Sequence, residues 1–153
     1  MVMAQITLRP AIMIDLDFVA ACAESAYSIY IERIGKKPAP MVADFAVALR
    51  ERQLEILEVE GKAIGFLISY AQQNSLFIEN VAIEPSCQGY GYGSASFALL
   101  EARAKAKGLT AIELYTNEKM TENLAFYPRL GFVEFDRRKE EGFNRVYFRK
   151  TLD

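Results

Sequence analysis

The chain has 153 residues, 52% hydrophobic and 25% charged, a balance that suits one hydrophobic core and argues against disorder. Its net charge of −2 offers no electrostatic reason to bind nucleic acid. Histidine is absent, which excludes a Ser-His-Asp triad, a Cys-His nucleophile and a histidine-built metal site.

The opening stretch, MVMAQITLRP, lacks a basic segment followed by an apolar one, so no secretion leader is expected. No run reaches the roughly 18 apolar residues of a membrane span, and the chain reads as soluble and cytoplasmic. QITLRPA alternates as a short strand ending near Pro10. Phe18, Val19, Cys22, Ala26, Ile29 and Tyr30 recur at helical spacing, predicting a helix from Asp15 to about Arg33. RIGKKPAPM breaks it, and a second helix is expected from about Val42 to Arg50.

LEILEVE and KAIGFLISYAQ flank Gly61 as a hairpin, and SLFIENVAIE follows the turn residues QQN as a third strand of that run. A helix from about Tyr92 to Lys107 places Phe97, Leu100 and Ala104 on one face, and Gly108 suits its left-handed C-terminal position. TAIELYT is a strand, a short helix spans Glu122 to Phe126, and GFVEFDRR with NRVYFRKTL forms a closing pair. No linker, repeat or low-complexity tract divides residues 1–153, so one domain is expected. Its class is α+β with a mixed, largely antiparallel sheet. Cys22 and Cys87 lie far apart without a CxxC pair and read as small structural thiols.

The stretch VAIEPSCQGYGYGS joins a strand to the long helix through three alternating glycines. A helix start presents amides without intrahelical partners, and glycines at 89, 91 and 93 allow unusual dihedrals and close approach of a ligand. The expected ligand is an anion, with tight packing as the bland alternative. A Walker loop is excluded, because Gly93 is followed by Ser94 and Ala95 rather than Lys-Ser/Thr.

Gln88-x-x-Gly91-x-Gly93 after VAIEP resembles the acyl-coenzyme A loop of the GCN5-related N-acetyltransferases. ELYTNEKMTENLAFYPRLGF resembles that family's fifth strand, following helix and start of the sixth strand. The resemblance implies a GNAT-like acyl-CoA N-acyltransferase fold with helices flanking the sheet, and acetyl-CoA as co-substrate without a metal. It assigns Val81, Ala82 and Ile83 to the acetyl and pantetheine arm, because the family's fourth strand splays from its fifth. Gln88, Gly89, Tyr90, Gly91, Tyr92, Gly93 and Ser94 would wrap the pyrophosphate. Asn117 and Asn123 resemble side-chain contacts to the arm. Tyr127 matches the tyrosine that protonates the departing thiolate, with core packing as its alternative.

Acetyl transfer to an amine also needs a proton acceptor. Alternation along SLFIENVAIE puts Phe77, Glu79, Val81 and Ile83 on one face, with Leu76, Ile78, Asn80 and Ala82 on the other. A carboxylate in so apolar a strand needs a partner, water or a raised pKa. Glu79 therefore reads either as the general base, directly or through water, or as a bonded structural carboxylate.

The family resemblance places Tyr30–Met41 beside the acceptor. There Arg33, Lys36 and Lys37 would meet a carboxylate or form a solvated loop, and Tyr27, Tyr30 and Phe45 would line an apolar pocket or pack in the core. GFNRVYF would border the acceptor or a dimer seam. The implied partner is a small-molecule or peptide amine, with no nucleic acid or membrane. A homodimer would cover the edge strands near the C-terminus. Direct attack in a ternary complex is expected, since Cys87 lacks an activating base. The alternative is a CoA-binding sensor or interaction module without catalysis.

Overall fold

Turn chemistry and alternation account for most of the elements in the computed structural model, which describes residues 5–153. The first four residues, part of the stretch read for a leader, lie outside the described residues. The strands are β1 (Ile6–Pro10), β2 (Leu54–Val59), β3 (Lys62–Gln72), β4 (Ser75–Ile83), β5 (Ala111–Asn117), β6 (Val133–Glu140) and β7 (Phe143–Thr151). The β2–β3 and β6–β7 hairpins close through two-residue loops, Glu60-Gly61 and Glu141-Gly142. All four of these residues have positive φ, as the twist-matched hairpin turn requires.

The helices are α1 (Leu16–Tyr27), α2 (Tyr30–Ile34), α3 (Phe45–Arg50), α4 (Tyr92–Ala106) and α5 (Thr121–Arg129). The seven strands form one sheet in the order β1-β2-β3-β4-β5-β7-β6. Pairing is antiparallel at β1–β2, β2–β3, β5–β7 and β6–β7 and parallel at β4–β5, the mixed α+β architecture expected. Among the described residues no helix is long and apolar enough to cross a membrane.

Three helix boundaries depart from expectation. The single helix expected from Asp15 to Arg33 is two, parted at Ser28 and Ile29. Tyr30 remains buried beyond the break, so the apolar spacing continues in phase while Ile29 stays 60% exposed. The second predicted helix starts at Phe45 rather than Val42, because the Asp44 side chain caps it by accepting from the Val47 amide (3.1 Å). The helix expected to end near Phe126 runs through Pro128 to Arg129.

The chain packs as two compact units, divided within β3, β4 and α4 rather than at a linker. The first comprises the chain to Ser69 with Asn80–Leu99. Val19, Cys22, Ile56, Leu57, Phe66 and Leu67 form its fully buried centre. Gly65 on β3 belongs to it too: a Cβ there would stand 2.2 Å from the Ala82 carbonyl oxygen of β4.

The second unit comprises Tyr70–Glu79 and Leu100–Asp153. Ser75–Ile78 of β4 run parallel to Ala111–Leu114 of β5, and β7 pairs along the whole of β5. Leu100, Ile112, Leu114 and Val146 are buried there. β6 ends the sheet with an exposed, highly charged strand, a composition that discourages a further strand from adding.

Candidate active site

In the first unit, β4 ends at Ile83, a short 3₁₀ turn covers Pro85–Cys87, and α4 starts at Tyr92. Gly89 and Gly91 sit at φ 86° and 83°, left-handed backbone that favours glycine. Gly93 differs from expectation: it lies inside α4 without a positive φ, and its carbonyl accepts from the Ser96 hydroxyl (2.7 Å). The Ala95 amide is the first to bond back into α4, reaching the Gly91 carbonyl at 3.0 Å. The amides of Tyr92, Gly93 and Ser94 therefore emerge from the helix end, where the dipole favours an anion. Residues 85–102 contain no Lys or Arg, and Lys62 at the start of β3 lines a cavity together with Tyr90 and Tyr92 of this loop.

The side chains of this loop are partly committed. Gln88 donates its amide to the Ile83 carbonyl (3.0 Å), tying the loop to the end of β4. Tyr90 and Tyr92 stack with centroids 6.0 Å apart. Both line a cavity of 410 Å³, with Lys62, Ile64, Ser86 and Cys87 among its other walls. Cys22 is wholly buried, and burial pushes its thiol up to about 12, the inert state of a structural cysteine.

β4 is anchored from α1 by a residue whose role sequence reasoning missed. Tyr27 was expected to pack in the core or line a pocket. It is buried as core packing requires, and its hydroxyl also lies 2.7 Å from both Asn80 Oδ1 and the Val81 carbonyl oxygen. The Asn80 amide donates to the Pro40 carbonyl (3.1 Å), so this buried side chain is bonded at both ends. Of the aromatic residues suggested for an acceptor pocket, Tyr30 and Phe45 are buried, and Phe45 packs edge-on against Phe66. Arg33 lies over the Tyr30 ring at 5.2 Å.

In the second unit, Asn117 Oδ1 accepts from the Lys119 amide (2.9 Å), shaping the turn after β5. Asn123 donates to Thr116 Oγ1 (3.1 Å) and fastens α5 to β5. Tyr127 is half-buried, its ring near Phe132 (5.8 Å) and Phe148 (5.6 Å). That packing holds Tyr127 helical although the following proline disfavours it.

Glu79 lies on the half-buried face of β4 in the alternation expected. Burial raises its carboxyl above the ordinary 4.5, and Arg145 opposes that rise. Around it runs an aromatic series: Tyr70 to Phe77 at 5.5 Å, Phe77 to Tyr115 at 6.0 Å, and Tyr115 to Tyr147 at 5.5 Å. Burial pushes the Tyr115 phenol up to about 12 and raises Tyr70 as well, with Glu79 adding to both. Among the described residues, no cluster of three His, Cys, Asp or Glu could hold a metal ion.

A family model described as the Acetyltransferase (GNAT) family matches residues 20–132. The chain is 32% identical over 90 residues to a ribosomal protein bS18-alanine N-acetyltransferase from Haemophilus influenzae, covering 58% of this chain and 61% of that protein. It is 32% identical over 75 residues to an L-2,4-diaminobutyric acid acetyltransferase from Nocardia farcinica, covering 47% of this chain and 39% of that one. These matches thus span about two to three fifths of the relatives' lengths. The fold is similar to the crystal structure of the ribosomal-protein-S18-alanine N-acetyltransferase from Escherichia coli. That comparison gives a TM-score of 0.77 at 19% identity over 97% of this chain and 95% of that one.

Proposed function

The chain belongs to the GNAT acetyltransferase family, and from that premise we propose that residues 1–153 act as one N-acetyltransferase domain moving the acetyl group of acetyl-CoA to a primary amine. The observation that carries the reading is the α4 start, where left-handed Gly89 and Gly91 lead into the emerging amides of Tyr92, Gly93 and Ser94. Each hydrogen bond from such an amide to a charged oxygen contributes about 1.5–3 kcal/mol, enough in combination to hold a diphosphate without lysine. In this reading Gln88–Ser94 take the pyrophosphate, and Val81, Ala82 and Ile83 take the arm and thioester. Asn117 and Asn123 keep the β5–α5 junction in shape.

An amine of pKa about 10.4 lies about 3.4 units from neutral at pH 7, a deficit of about 4.6 kcal/mol in the reactive form. Glu79 accepts the proton of the ammonium, directly or through water, and releases it to solvent. The free nitrogen attacks the thioester carbon; the C–N bond forms and the C–S bond breaks. Tyr127 gives its phenolic proton to the leaving thiolate and regains one from the acylated nitrogen. No acyl-enzyme is formed. Both cysteines are free thiols, in keeping with a cytoplasmic setting. The acceptor is a small-molecule or peptide amine.

The test is acceptor-dependent release of free CoA thiol across a panel of polyamines, amino acids, aminoglycosides and peptide N-termini. Glu79→Gln should lower kcat by about 10²–10⁴-fold, the usual contribution of a positioned base. Coenzyme binding without thiol release from any amine would instead identify a CoA-responsive module.

A further inference from the structure

Arg145, on β7, has no task in the proposed chemistry. Its position is unusual for an arginine: the side chain is 10% exposed, and the guanidinium lies 4.3 Å over the Tyr115 ring. The sheet register explains the placement. Asn117 pairs with Arg145 and Tyr115 with Tyr147, while the last paired rung of β4 and β5 is Ile78 with Leu114. Glu79 follows that rung by one residue on β4, as Tyr115 does on β5. Arg145 starts one row further along the same face and folds back across the Tyr115 ring.

The carboxylates that pair with Arg145 are looser than the site it faces. Glu140 lies at 3.5 Å and Glu141 at 3.4 Å, and their side chains are 37% and 78% exposed. Water screens ion pairs of that kind. Glu140 also accepts the Tyr147 hydroxyl. The groups that act electrostatically on Glu79 are Tyr70 on β3, Tyr115 on β5 and Arg145 on β7. Both phenols are displaced upward and stay neutral through the working range. Among these groups, Arg145 alone brings charge to Glu79 between about pH 5 and 9.

We infer that Arg145 is a positioning residue for the reaction: held on the Tyr115 ring, its guanidinium keeps Glu79 ionised within an aromatic wall, ready to take the acceptor's proton. This rests on the reading of Glu79 as the base. Arginine suits the task because a planar, permanently charged fork can stack on a ring and still present charge at its edge. A lysine in the same place would keep the charge and lose the stack.

The experiment follows the Glu79 side-chain carboxyl directly, by carbon-13 NMR titration of the whole chain in wild type, Arg145→Gln and Arg145→Lys. The pH profile of kcat/KM is measured on the same proteins. Arg145→Gln should raise the Glu79 titration by about one unit and carry the acidic limb of the profile up with it, while Arg145→Lys restores part of both shifts. A Glu79 titration that does not move in Arg145→Gln overturns the inference and leaves the base assignment standing. A titration that moves while the kinetic limb stays in place supports the hold of Arg145 on Glu79 and overturns the base assignment. If Arg145→Gln does not fold, Arg145→Lys alone must still shift Glu79 upward, and an unmoved titration there is equally fatal.

Discussion

Glu79 is held on β4 at a cost that its own ionisation sets. Burial favours the neutral acid, so the folded-state pKa stands above the ordinary 4.5. For a carboxyl raised in this way, the penalty is absent below the unfolded value, where both states are protonated. It develops as pH rises through the window up to the folded value and persists above it. Glu79→Gln removes the ionisation and keeps the shape. The variant should match wild type in stability near pH 3.5, then become the more stable as pH rises, while losing turnover. Chemical denaturation at a series of pH values reads this, and a variant less stable at pH 7 than at pH 3.5 relative to wild type contradicts it. At this scale Glu79 was legible, because a carboxylate within SLFIENVAIE breaks an apolar alternation that one can read locally. Tyr27 and Arg145 were not. Tyr27 meets Asn80 from 53 positions away, and the seat of Arg145 depends on the β5–β7 register. Neither pairing leaves a mark in local spacing.

Elements whose ends are written in turn residues were found from the sequence; those whose ends depend on packing were displaced. Gly61 marked its hairpin and Gly108, at φ 75°, closed α4 as expected. Pro128 pointed to an early stop for α5, yet the ring of Tyr127 against Phe132 and Phe148 carries the helix past it. The same kind of hidden constraint sits at Gly65, which in AIGFL looks like an ordinary weak point of a strand. Its missing side chain lets β3 approach the Ala82 carbonyl, and the atoms an added Cβ would meet are all backbone. Gly65→Ala must therefore part β3 from the end of β4, costing about 1–3 kcal/mol as overpacking does. Because Ala82 and Ile83 belong to the proposed arm contact, acetyl-CoA affinity should fall together with stability. A lower urea midpoint at unchanged m-value is the expected readout. An unchanged midpoint would show that the strands tolerate the methyl and that Gly65 does not set their spacing.

For the whole chain, the proposed coenzyme site has a thermodynamic consequence that does not require the acceptor to be known. A ligand that binds only the folded state adds about 2.7 kcal/mol at one hundred times its Kd. For a domain of this size each kcal/mol raises Tm by roughly 2–4 °C, so saturating acetyl-CoA should raise it by roughly 5–11 °C. Free CoA should act similarly, since the diphosphate and arm are common to both. ATP and NAD should do little if the arm contributes as proposed, because neither carries pantetheine. Gly91→Ala should shrink the acetyl-CoA shift, as alanine is strained at φ 83° and the turn must change to accept it. Thermal unfolding with each ligand separates the cases. Equal shifts with ATP and acetyl-CoA would reduce the turn to a general phosphate site, and no shift with either coenzyme form would remove the premise of acetyl transfer.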